Sequence, residues 1–110
     1  MVSLKLGSNN LPRLLSSSFP STIYSLKRLN LSDNRIDAIE DNSFKQLSEL
    51  QDLYLSQNRL RELSANSFSG LLELKLLDLS NNFLEQVPTD AILKLKNLKK
   101  LKWITLVGFE

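Results

Sequence analysis

Leu26, Leu50, Leu74 and Leu98 stand 24 residues apart, and each opens a stretch that repeats the one before it. "LKRLNLSDNRIDAIEDNSFKQLSE" is followed by "LQDLYLSQNRLRELSANSFSGLLE" and then by "LKLLDLSNNFLEQVPTDAILKLKN". A fixed period of roughly 20 to 50 residues is the mark of a chain built from one supersecondary unit used several times, and it restricts the fold to stacked or radial repeat architectures.

Within each unit the apolar residues keep the same offsets. The first of the three carries Leu26, Leu29, Leu31, Ile36, Ile39, Phe44 and Leu47; the second Leu50, Leu53, Leu55, Leu60, Leu63, Phe68 and Leu71; the third Leu74, Leu77, Leu79, Leu84, Val87, Ile92 and Leu95. An earlier unit places Met1, Leu4, Leu6, Asn9, Leu11, Leu14 and Phe19 in phase and is one residue longer. The extra residue is expected near Pro20, because Ile23 rather than Thr22 takes the next apolar place. The leucine pair at 29 and 31 alternates with period two, so it points to one side of a short strand and Asn30 to the other. An amphipathic helix or coiled coil does not fit, since positions 26, 29, 31, 36 and 39 form no single helical stripe and 24 is not a heptad multiple. Each unit is therefore a strand, a turn and a return path ending in "NSFKQL" or "NSFSGL", with short 3₁₀, irregular or helical structure expected on the return. One such unit cannot bury its apolar side chains alone, so neighbours must stack.

These units match L-x-x-L-x-L-x-x-N-x-L, and the chain resembles a leucine-rich-repeat protein from residue 1 to about 102. The 24-residue unit with Phe44 and Phe68 ahead of Leu47 and Leu71 resembles the subtype of extracellular and receptor-type members. The resemblance implies an α/β fold: a right-handed, curved solenoid with a concave parallel β-sheet and a convex side of short segments. It also implies one domain over 1–110, with repeats at about 1–25, 26–49, 50–73 and 74–97 and a partial one at 98–110.

Asn9, Asn34, Asn58 and Asn82 recur between apolar neighbours, where the strand leaves the sheet. An isolated asparagine is most simply a surface turn residue. Four in register are better explained as a structural ladder, because an amide both donates and accepts and so satisfies backbone groups that turn inward without a partner.

The residues flanking the leucines are not required by the repeat and are free for recognition. They are Val2, Ser3 and Lys5; Lys27, Arg28 and Asn30; Gln51, Asp52 and Tyr54; Lys75, Leu76 and Asp78; Lys99, Lys100 and Lys102. With Asp33 added, this face has seven basic and three acidic residues, about +4 where the whole chain is +2. The partner-binding set expected from it is Lys27, Arg28, Asn30, Asp52, Tyr54, Lys75, Leu76, Asp78, Lys100 and Lys102, with Tyr54 and Leu76 as its contact anchor. The lysine run from Lys94 to Lys102 falls on variable repeat positions and reads as a solvated face. "NLS" at Asn30–Ser32 is an N-glycosylation triplet; Asn30 is expected mid-strand, where a glycan would obstruct binding, and chance accounts for the triplet as well.

The resemblance implies a protein-binding module that recognises a protein ligand or co-receptor in adhesion, ligand sensing or assembly. An extracellular or cell-surface setting is implied with it. An intracellular scaffold of the same fold, favoured by the lack of cysteine and of a signal, and polyanion or nucleic-acid binding by the basic face are the alternatives. The chain has no cysteine and no histidine, which removes disulfides, thiol chemistry, the usual zinc ligand sets and a histidine-based triad. No enzyme activity, cofactor, metal or small-molecule substrate is expected. No apolar run approaches the roughly 20 residues of a membrane span. With no cysteine-containing caps and Met1 at a core position, the chain is expected to be a fragment with exposed apolar ends that self-associates. The repeat code lapses at the C-terminal end, where Trp103 replaces a core leucine and Leu106 takes the place of the next asparagine.

Overall fold

The computed structural model describes residues 3–103, so Met1, Val2 and Leu106 lie outside the described residues. Along the chain run β1 (Ser3–Lys5), β2 (Arg13–Leu14), a 3₁₀ turn (Ser21–Ile23), β3 (Arg28–Asn30), β4 (Ala38–Ile39), β5 (Asp52–Tyr54), β6 (Leu76–Asp78), α1 (Thr89–Ile92) and β7 (Lys100–Lys102). The strands β1, β3, β5, β6 and β7 form one sheet in that order, all parallel. The register places Leu29 beside Leu53, Leu53 beside Leu77 and Leu77 beside Leu101, so the sequence period becomes lateral adjacency. Parallel neighbours need a long crossover, which each return path supplies. The result is a stacked-strand solenoid with little helix, 45 × 30 × 21 Å in extent.

The core lies between the sheet and the return paths. Leu29, Leu31, Leu53, Leu55, Leu77 and Leu79 are fully buried from the sheet side, and Phe44 and Leu47 meet them from the back. Phe19, Phe44 and Phe68 stack along the solenoid with centroids 5.9 and 6.0 Å apart. The longer first unit takes up its extra residue between Phe19 and Ile23, where Pro20 leads into the 3₁₀ turn and Leu26 N–H then bonds to Ile23 O just as Leu50 N–H bonds to Leu47 O.

Asn34, Asn58 and Asn82 are buried and form a directional ladder. Asn58 Oδ1 accepts the Ile36 N–H at 3.0 Å, while its Nδ2 donates to Leu31 O and to Leu55 O, both at 3.1 Å. Asn82 repeats this one unit on, accepting from Leu60 N–H and donating to Leu55 O and Leu79 O. Each side chain thus ties its own turn to the turn before it. The residue ahead of each ladder asparagine (Ser8, Asp33, Gln57, Asn81) has φ between 57° and 60°, the left-handed twist that aims the amide inward.

Two expectations change. Asn9 is exposed and its Nδ2 reaches only Gly7 O, because the ladder faces backwards and no earlier turn stands behind Asn9 among the described residues. Val87 is 42% exposed rather than core, whereas Ile39 at the equivalent place is 8% exposed within β4. Leu14 and Ile39 are buried where β2 pairs with β4, whereas Leu63 and Val87, at the same place in the next two units, lie in no strand and are half-buried and exposed. Ala91 is buried at the place that Ser43 and Ser67 hold in the two units before it. Beyond these, a second parallel pair, β2 with β4, holds Leu14 beside Ile39 on the edge opposite the main sheet, which the period alone did not indicate.

Candidate functional site

The outward residues of the five-stranded sheet form straight rows. Ser3, Arg28, Asp52, Leu76 and Lys100 make one, and Lys5, Asn30, Tyr54, Asp78 and Lys102 the next. Lys27, Gln51, Lys75 and Lys99 form a third row, held by backbone bonds of 2.8 Å from Gln51 N–H to Lys27 O, Lys75 N–H to Gln51 O and Lys99 N–H to Lys75 O. Eight of the ten residues of the expected partner-binding set lie in the two strand rows, and Lys27 and Lys75 stand at the entry to β3 and β6. Tyr54 and Leu76 are diagonal neighbours at its centre, half-buried, with Asp52 and Asp78 completing the square.

The charge on this surface is uneven. Arg28 Nε donates to Asp52 Oδ2 at 3.1 Å and Lys27 Nζ to Glu49 Oε1 at 2.7 Å, so the β3–β5 half neutralises itself. Glu49 was not among the residues expected here. The signal for both pairs was in the repeat, since residues about 24 apart become lateral neighbours and opposite charges at that spacing can meet. Asp33 lies beyond the strand on the left-handed turn, where it accepts the Ser8 hydroxyl at 2.9 Å. The lysine run does not form one face: Lys94 Nζ donates to Asn66 Oδ1 on the return path, while Lys99, Lys100 and Lys102 belong to the sheet rows.

Short polar bonds stiffen the upper rim of the sheet. Asn30 Oδ1 accepts the Ser32 N–H at 2.9 Å, and Asp78 Oδ1 accepts the Ser80 N–H at 3.0 Å and the Ser80 hydroxyl at 2.6 Å. The Ser56 hydroxyl donates to Ser32 Oγ at 2.9 Å. Asn30 is half-buried between Lys5 and Tyr54, so a glycan on it would lie across the middle row.

Chemically the surface offers hydrogen-bond donors, ammonium groups, two carboxylates, a phenol and a leucine. Among the described residues no cluster of three or more acidic side chains could hold a metal ion. No helix among them is long and apolar enough to cross a membrane. The arrangement is suited to gripping a surface.

A search of curated proteins finds no match. The family described as Leucine rich repeat matches in three overlapping windows, residues 1–60, 24–84 and 48–103. Those windows cover every strand of the main sheet and the whole asparagine ladder, and the chain belongs to the leucine-rich-repeat family, whose domains are general protein-interaction modules.

Proposed function

We propose that the chain is the recognition element of a larger assembly and binds a protein partner on the exposed face of its five-stranded sheet, with Tyr54 and Leu76 as the anchor. The observation that carries this is the central apolar pair, half-buried, set among rows that the repeat does not need for folding. Tyrosine is among the residues enriched at interface hot spots, and a leucine beside it adds apolar contact area within a polar rim. The reading includes an extracellular or cell-surface setting, supported by the 24-residue, phenylalanine-bearing unit, and a protein ligand or co-receptor as partner. Lack of enzymatic activity belongs to it as well.

The test is a protein-interaction screen with the intact chain, followed by remeasurement of each hit with Tyr54→Ala, Leu76→Ser and, as a control on the opposite face, Leu93→Ser. Leu93 is 73% exposed on the return side. The two sheet-face variants are expected to weaken binding about tenfold or more, the loss that accompanies truncation of a contact worth at least ~1.4 kcal/mol. Hits that survive both and are lost with Leu93→Ser would move the recognition surface to the other side of the solenoid.

A further inference from the structure

The half of the sheet that balances its charges and the half that does not lie side by side. On β3 and β5 each cation at the face has an internal carboxylate, Lys27 with Glu49 and Arg28 with Asp52. At the other end, Lys75 and Lys99 stand just before β6 and β7, joined by the Lys99 N–H to Lys75 O bond, and Lys100 and Lys102 lie within β7 in register with Leu76 and Asp78. None of these four makes an ion pair among the described residues. The acid between them, Asp78, already directs Oδ1 to the Ser80 N–H and hydroxyl.

Parallel strands sit about 4.8 Å apart, so neighbouring ammonium groups repel within a Debye length of roughly 8 to 10 Å. None of the four is a core side chain, so the fold does not require this concentration of charge. An anionic partner would relieve it.

Two features of the same surface give that partner its chemistry. Tyr54 and Leu76 adjoin the lysines and present apolar area, which a phosphate or sulfate backbone would leave unused. Asp52 and Asp78 stand in the rows themselves, where a continuous polyanion would meet like charge. A peptide can place an apolar side chain at the centre and carboxylates only over the lysines. From β5 to β7 is two strand spacings, about 10 Å, which an extended peptide crosses in about three residues at ~3.3 Å each.

Resting on the sheet-face reading above, we propose that the partner is an acidic protein segment. It sets an aromatic or large aliphatic side chain on Tyr54 and Leu76, and about three residues away carries two or more carboxylates that face Lys75, Lys99, Lys100 and Lys102.

Selection of a random peptide library on the intact chain tests this, with heparin and single-stranded DNA as polyanion probes. Selected peptides are expected to carry an Asp/Glu pair or cluster about three residues from an apolar anchor. Their affinity should fall about tenfold or more when salt rises from about 0.05 to about 0.5 M, as expected for contacts made by exposed charges. The double variant Lys100→Glu, Lys102→Glu should lose binding by about tenfold or more with an unchanged far-UV spectrum and melting curve, and Tyr54→Ala should weaken the same peptides.

Neutral peptides that need Tyr54 but ignore Lys100→Glu, Lys102→Glu would overturn the acidic partner and leave the sheet-face reading standing. Peptides indifferent to Tyr54, Leu76 and the lysines would overturn both. Heparin or DNA binding as tightly as the best peptide and unaffected by Tyr54→Ala would make the ligand a polyanion. Failure to select any peptide would also overturn the proposal.

Discussion

Replacing Asn58 by leucine removes four hydrogen bonds, yet their loss does not leave four groups stranded. Leu31 O keeps the Asn34 Nδ2 donor at 2.9 Å, Leu55 O keeps the Asn82 Nδ2 donor at 2.9 Å, and Ser56 O keeps the Asp33 N–H at 2.9 Å. Only the Ile36 N–H, whose sole acceptor among the described residues is Asn58 Oδ1, is orphaned, at a site where Ile36 itself is fully buried. One buried donor without a partner costs about 1 to 3 kcal/mol, so Asn58→Leu should destabilise the fold by about that much. The matched control is Asn9→Leu, which gives up a single exposed bond to Gly7 O and should cost less than about 0.5 kcal/mol. Urea denaturation read by far-UV circular dichroism measures both, as a drop in midpoint without a change in slope. Hydrogen exchange localises the effect, since the Ile36 amide should lose protection first. Superposable curves for Asn58→Leu and the parent, or an equal cost at Asn9, would refute the ladder as the reason asparagine recurs.

Gly70 has φ +98°, and a Cβ on it would stand 2.6 Å from Lys45 Cα in the preceding turn. Gly70→Ala should therefore destabilise by about 1 to 3 kcal/mol. A neutral or raised melting temperature, the usual result of replacing glycine at an unstrained site, would contradict that geometry. Glu40 Oε1 accepts the Ser16 N–H at 2.7 Å, and this bond, helped by a further hydrogen-bonding contribution from the Ser16 side chain and the nearby Arg13 charge, holds its carboxyl below the ordinary glutamate range. With the folded value depressed, the contribution of Glu40 to stability is present above the unfolded pKa and is lost as pH falls through the folded one. A carbon-detected NMR titration should show Glu40 protonating at lower pH than a free glutamate, and a midpoint at or above the free value would remove the Ser16 bond from the account.

The architecture was legible in the sequence because the period turns a position into a direction. Leu29, Leu53 and Leu77 point inward for one shared reason, and the parallel sheet follows from stacking them. Cover, as opposed to direction, depends on what each residue's own turn packs or pairs with, and the period is silent there. Val87 repeats the place of Ile39 and is exposed, and Asn9 repeats the place of Asn34 and faces solvent. Of the site, the rows and their central Tyr54–Leu76 pair were readable. The pairing of Lys27 with Glu49 and of Arg28 with Asp52 was not, since summing charge over a face ignores which charges touch. The separation of Lys94 from Lys99 likewise depends on where the return path ends and the strand begins, a boundary that a run of lysines conceals.

The residues that hold the solenoid together also set the terms on which it can bind. Backbone bonds from Lys99 to Lys75, Lys75 to Gln51 and Gln51 to Lys27 fix the rows laterally, and the buried asparagines fix the turn that follows each strand. A side chain in such a row has its Cβ placed by two neighbours and only its outer torsions left to order. Binding then costs little backbone entropy, and the association penalty falls mainly on a few side chains at roughly 0.5 to 1.5 kcal/mol each. Tyr54 and Leu76 have few torsions to lose, whereas the lysines have many, which in the proposed interface would put tight contact at the centre and longer-range charge at the β7 side. A partner that respects this division would owe its residence time to the apolar pair and its rate of encounter to the ammonium groups. Tyr54→Ala should accordingly raise the dissociation rate, and Lys100→Glu should lower the association rate.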